Sequence, residues 1–138
     1  MTRIPLDISK IIFSFLIKYN PNVHTELYLC SNGNLSGVKW LHKNRPSLFT
    51  TNAMNYAAEN GHLEVVKWLH NNRTEDCTTY AMDCAAENGH LEVVKWLHNN
   101  RTEGYTTYAM DYAARNGHLE VERWLHEIVQ KAVRRPSS

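Results

Sequence analysis

Apolar and polar positions along this chain follow two superimposed periods. The short one is helical. Leu91, Val94 and Leu97 fall at i, i+3 and i+6, a buried stripe that predicts a helix from His90 to about Asn99. The long one is 28 residues. The block Asn60–His70 recurs unchanged at Asn88–His98, returns with two substitutions at Asn116–His126, and appears in looser form at Asn32–His42. Glycines 33, 61, 89 and 117 mark the same point in each copy. Residues 46–73 and 74–101 agree at 21 of 28 positions, and residues 74–101 and 102–129 at 19.

Each copy reads as two short helices. Thr78-Thr79-Tyr80 supplies a hydroxyl N-cap for an Ala-rich helix running through Ala81 to Glu87. Asn88-Gly89 ends that helix and turns the chain. The second helix carries its apolar stripe inward, with Glu92 and Lys95 as an i, i+3 pair on the wet side. A polar stretch, Asn99 to Gly104, leads to the next copy. One such unit has an apolar face it cannot bury alone; stacked units bury it against each other.

The stretch Ala85-Ala86-Glu87-Asn88-Gly89-His90-Leu91-Glu92-Val93-Val94-Lys95-Trp96-Leu97 closely resembles the core of an ankyrin repeat. The resemblance spans roughly residues 18–126 and implies an all-α fold, an ankyrin-repeat-like helical solenoid. Two departures stand out. Tyr80-Ala81-Met82-Asp83 replaces the family's Thr-Pro-Leu-His, and the period is 28 residues rather than about 33. The missing residues fall where the family projects a β-hairpin finger. A shortened loop over Asn72–Thr78, with little or no strand, is therefore expected. Such short repeats are similar to those of amoebal and giant-virus proteins.

The expected organisation is an N-terminal capping helix over 1–17, a diverged first repeat over 18–45, and repeats over 46–73 and 74–101. A C-terminal capping repeat follows over 102–126, then an extended terminal helix and tail over 127–138. Glu122 stands where earlier units have Val66 and Val94, the polar substitution that marks a terminal repeat. The array is expected to be complete between these caps. Ile4-Pro5-Leu6-Asp7-Ile8-Ser9-Lys10-Ile11-Ile12-Phe13-Ser14-Phe15-Leu16 also resembles the first helix of an F-box. That resemblance implies an alternative function, a substrate adaptor for a ubiquitin ligase.

Composition narrows the class. The chain has 138 residues and 16.0 kDa, is 43% hydrophobic, and carries a formal net charge of +1. That balance excludes a strongly phosphate-seeking surface, so no nucleic-acid partner is expected. No apolar run reaches the ~18–20 residues of a membrane span, so none is expected to meet a membrane. Three cysteines, Cys30, Cys77 and Cys84, are too few for a disulfide framework and fit a reducing, cytoplasmic setting. The +1 is a sum of opposed regions: +4 over residues 1–45, −5 over 46–126 and +2 over 127–138.

Candidate chemistry is sparse. His62, His90 and His118 form one repeat column, and His42, His70, His98 and His126 another. Eight helical residues span about 12 Å, and packed helices lie 8–10 Å apart, too far for shared metal ligation. The first column is expected to cap helix starts and the second to line last turns. Trp40, Trp68, Trp96 and Trp124 occupy one column and are expected to pack between units. Cys77 and Cys84 become Tyr105 and Tyr112 one unit later, which suits small apolar fillers better than a reactive thiol. Sequons at Asn34, Asn72 and Asn100 are expected to stay idle without a secretory signal. With no phosphate loop, nucleophile elbow or carboxylate pair, no enzyme activity, cofactor or metal is expected.

The columns that vary against this constant framework point to a binding surface. Positions Phe49, Asn52, Glu59, Asp76, Tyr80, Asp83, Glu87, Tyr105, Tyr108, Asp111 and Arg115 lie in the shortened loops or on first helices. In the ankyrin family those regions face the concave groove. Aromatics beside Asp, Glu and Arg are the mixture of a protein-binding surface. The expected function is a monomeric, non-enzymatic module holding a partner protein in that groove.

Overall fold

The computed structural model describes residues 23–134, and the side chains of residues 25–133. The expected capping helix over 1–17, its F-box-like stretch over 4–16 and the end of the tail lie outside the described residues. Eight α-helices follow one another among the described residues: α1 Val23–Ser31, α2 Leu35–Asn44, α3 Asn52–Glu59, α4 Leu63–Asn72, α5 Thr79–Glu87, α6 Leu91–Asn100, α7 Thr107–Arg115 and α8 Leu119–Arg134. A single 3₁₀ turn, Pro46–Leu48, precedes α3, and no strand occurs among the described residues. The fold is all-α, and the short loops after α4 and α6 carry no hairpin.

First helices α1, α3, α5 and α7 stack into one layer, and second helices α2, α4, α6 and α8 into another. Small residues let the first layer pack closely: Ala53, Ala57, Ala58, Ala81, Ala85 and Ala86 are all buried. Bulkier side chains keep successive second helices further apart. Tight spacing on one side and loose spacing on the other curves the stack, making the first-helix side concave. Val65, Val66 and Leu69 of α4 and Val93, Val94 and Leu97 of α6 form the core between the layers.

Three joints hold each unit to the next. The first lies at the start of the first helices. Thr78 caps α5 by accepting from the Tyr80 N–H at 3.1 Å, and Thr106 does the same for the Tyr108 N–H at 3.2 Å. Each threonine is in turn held by the preceding unit. The Thr106 N–H and Oγ1–H donate to the Asp83 carboxylate at 2.8 and 2.6 Å. Asn55 accepts from the Thr78 N–H at 3.1 Å and donates to Thr78 Oγ1 at 3.1 Å. Glu26 accepts from the Thr50 N–H at 2.6 Å.

A second joint lies at the turn between helices. Gly33, Gly61 and Gly89 have φ of +68° to +78°, and the rings of His62, His90 and His118 sit where a Cβ would stand, at 2.5–2.6 Å. The glycine is thus required twice over, by backbone and by neighbour. The first histidine column therefore does not cap its own helices as expected. Second helices begin one residue later, and the histidine at the N-cap position makes no capping bond. Its ring reaches back to the previous unit instead, with His62 Nε2 2.9 Å from the Ser31 carbonyl.

The third joint is on the convex side. His42 meets Trp68 edge-on at 5.2 Å, and His70 meets Trp96 at 5.1 Å. Arg73 then lies 3.1 Å from His42 Nδ1 and donates to Glu75 at 2.7 and 2.8 Å. Arg101 lies 3.2 Å from His70 Nδ1 and donates to Glu103 at 2.7 and 3.1 Å. The guanidinium beside Glu103 holds that carboxyl below the usual range, and Arg73 does the same for Glu75. The tryptophans pack between units, as their constant spacing predicts. The expected Glu92–Lys95 ion pair is absent: among the described residues the pairs are Arg73–Glu75, Arg101–Asp76, Arg101–Glu103 and Arg115–Asp111.

Candidate protein-interaction surface

The concave side is the exposed edge of the first-helix layer, and part of the expected binding set lies there. Tyr80 on α5 is 48% exposed and Tyr108 on α7 57% exposed, one repeat apart. Asn52 is exposed at the same position on α3. The threonine caps place these residues: once Thr78 or Thr106 has turned the chain into its helix, the second residue after it faces outward. The Tyr80 hydroxyl donates to the Cys84 sulfur, and that bond raises the phenol to about 12.

Helix α7 carries the densest cluster. Tyr108 stacks on Tyr112 with ring centres 5.4 Å apart, and the Arg115 guanidinium lies 5.7 Å over the Tyr112 ring. Arg115 also meets Asp111 at 3.5 Å, one helical turn back. Glu59 and Glu87 are half-buried at the ends of α3 and α5, where their main-chain carbonyls accept from the Asn88 and Asn116 amides at 3.2 and 3.1 Å. Asp76 stands exposed on the loop after α4, 3.1 Å from Arg101.

Three expected binding residues are committed to other work. Phe49 is 6% exposed, because the short loop folds its ring against the core beneath the Arg73 guanidinium at 4.4 Å. Tyr105, one column-mate of Phe49, packs half-buried against the same core, and burial pushes its phenol up. Asp83 clasps Thr106, as described above. Tyr112, four residues after Tyr108, was not among the expected set and stacks on it. Leu27 and Tyr28 on α1 are exposed as well, Tyr28 in the same repeat column as Tyr112.

Chemistry elsewhere is quiet. Burial raises the thiols of Cys77, to about 11, and Cys84, so both are protonated and unreactive fillers. Among the described residues no group of three or more His, Cys, Asp or Glu side chains is placed to hold a metal ion. No helix among them is long and apolar enough to cross a membrane.

This helix-pair stack, with its Gly-turn and buried Ala-Ala layer, is the architecture of an ankyrin array. The family described as "Ankyrin repeats (3 copies)" matches residues 11–104 and 54–134, and the chain belongs to that family. Its members are generally non-enzymatic modules for protein–protein interaction. No curated protein sequence matches the chain. Among solved structures, it is similar to a chain in the crystal structure of the yeast ribosomal protein Rps3 in complex with its chaperone Yar1. The two share a TM-score of 0.59 at 19% identity, covering 97% of this chain and 100% of the other.

Proposed function

We propose that this protein binds a partner protein along its concave first-helix face, with Tyr80, Tyr108, Tyr112 and Arg115 as the principal contacts. The observation that carries the reading is the pairing of Tyr80 and Tyr108. Both are large aromatics, about half exposed, while the alanines Ala81, Ala85, Ala86, Ala109 and Ala113 of the same two helices are buried. Tyrosine presents wide contact area at low conformational cost and is enriched at interaction hot spots. The Tyr108–Tyr112–Arg115 cluster pre-orders its members before any partner arrives. Glu59, Glu87 and Asp111 border this face and would favour a partner with complementary basic groups.

The test uses two photo-crosslinking variants of the full chain, one at Tyr108 and one at the convex, exposed Lys67. A captured partner should crosslink through position 108 and not through 67. Tyr80→Ala/Tyr108→Ala should weaken its binding at least tenfold, a loss of about 1.4 kcal/mol or more. Crosslinking through Lys67 alone, or unchanged affinity in the double variant, overturns the assignment.

A further inference from the structure

The convex joint described above is built twice and then altered. At its third occurrence, His98 still meets Trp124 edge-on, at 5.3 Å and 87°. The arginine and glutamate that close the first two joints do not recur. In the 28-residue register Arg73 and Arg101 are followed by Val129, and Glu75 and Glu103 by Lys131. Helix α8 does not break there into a loop but runs on to Arg134, while α6 stops at Asn100. The result is a groove of about 580 Å³ between the end of α6 and the extended part of α8.

The lining of this groove has one sign of charge. Lys95 and His98 line it from α6, and Trp124, Ile128, Lys131 and Ala132 from α8. Its lining joins the apolar Trp124, Ile128 and Ala132 to two ammonium groups and the Asn99 amide, and no carboxylate is among its lining residues. Where His42 and His70 each meet an arginine at Nδ1, His98 makes no hydrogen bond among the described residues. Replacing glutamate by Lys131 reverses the charge that holds the arginine in the inner joints. The groove is thereby closed to a guanidinium and suited to an anion.

From this geometry we infer a second docking site, separate from the concave face, that takes an acidic peptide segment bearing an apolar side chain. The apolar side chain lies against Trp124, Ile128 and Ala132. A neighbouring Asp or Glu carboxylate accepts from Lys95 and Lys131, within reach of a His98 ring N–H. Apolar and cationic lining together favour a peptide over a bare polyanion, because a phosphate backbone would leave the Trp–Ile–Ala surface uncovered. The inference stands independently of the concave-face reading.

The probe is a capped peptide of about nine residues alternating Glu and Asp with Phe and Leu, titrated into the ¹⁵N-labelled full chain. The Trp124 indole N–H should shift saturably, and added salt should weaken the binding. Lys95→Glu/Lys131→Glu should weaken it at least tenfold, and Lys131→Glu alone, at an exposed position, at least threefold. Tyr80→Ala/Tyr108→Ala should leave it unchanged, which separates this site from the concave one. The assignment is overturned by any of four results: no saturable shift; equal binding of the same peptide with Lys for each acid; equal binding of a single-stranded oligothymidylate; or a Trp124 shift that follows protein concentration alone, which would make the occupant a second copy.

Discussion

The unit that turns at Gly89 and the unit that turns at Gly117 differ little in sequence and much in environment. Ala86 of the first is fully buried; its repeat partner Ala114 is exposed. A Cβ on Gly89 would strike the His118 ring at 2.5 Å, whereas a Cβ on Gly117 would meet nothing within 4 Å. Asp83 clasps Thr106; Asp111 has no following threonine and pairs with Arg115 instead. Leu91 is half-buried and Leu119 is 60% exposed. Burial in a stacked repeat is thus conferred by the next unit, and the same residue is core in one copy and surface in the next.

Paired substitutions can break this comparison. The largest contrast is at the alanines. Ala86→Lys places a charge in the close-packed first-helix layer and should destabilise the chain by about 3 kcal/mol or more. Ala114→Lys should change stability by no more than about 0.5 kcal/mol. Urea unfolding of the two variants checks both, and equal losses would show that α7 is covered in solution. At the turns, Gly89→Ala combines a left-handed backbone with displacement of the His118 ring and should cost about 2–4 kcal/mol. Gly117→Ala retains only the backbone penalty, about 1–2 kcal/mol. If the two lose the same amount, the histidine ring yields freely and the second joint is weak.

How much of this was legible follows from the distance over which each feature is decided. Helix pairs, their Thr78-type caps and the Asn-Gly turn are decided within one unit, so the 28-residue period and local chemistry predict them. The loss of the hairpin was legible too, since a shortened loop has no residues for it. The joints were not. His62 acts on Ser31 and Arg73 on His42, each 31 residues back, while Thr106 bonds Asp83 across 23. Sequence periodicity shows that such residues recur but not which neighbour they reach. The candidate surface suffered from the same gap: Phe49, Tyr105 and Asp83 vary between copies, yet each is engaged within the array. The exposure of Tyr80 and Tyr108 was legible because the cap that orients them is local.

The first joint gives a smaller contrast. Asp83→Ala leaves the Thr106 N–H and hydroxyl without acceptors in a part-buried site and should cost about 1–2 kcal/mol. Asp111→Ala removes only an exposed i, i+4 pair and should cost at most about 0.5 kcal/mol. Denaturant midpoints distinguish them; a comparable loss at Asp111 would mean that its carboxylate holds something beyond Arg115.

The subtlest contrast is in pH. Burial against the preceding unit lowers the His90 pKa below its ordinary 6.5, outweighing the opposing bond to the Glu59 backbone. The unfolded chain therefore binds a proton that the folded chain refuses as pH falls below about 6.5. Stability must decline through that window and level off only below the folded-state value. Glu103 acts lower down: Arg101 depresses its pKa, so its contribution is complete above about 4.5 and is lost as pH falls through the depressed value. His90→Gln should flatten the upper part of the stability–pH curve and leave the lower part in place. If the slope near pH 6 survives that substitution, the proton-linked stability resides somewhere other than the glycine–histidine joint.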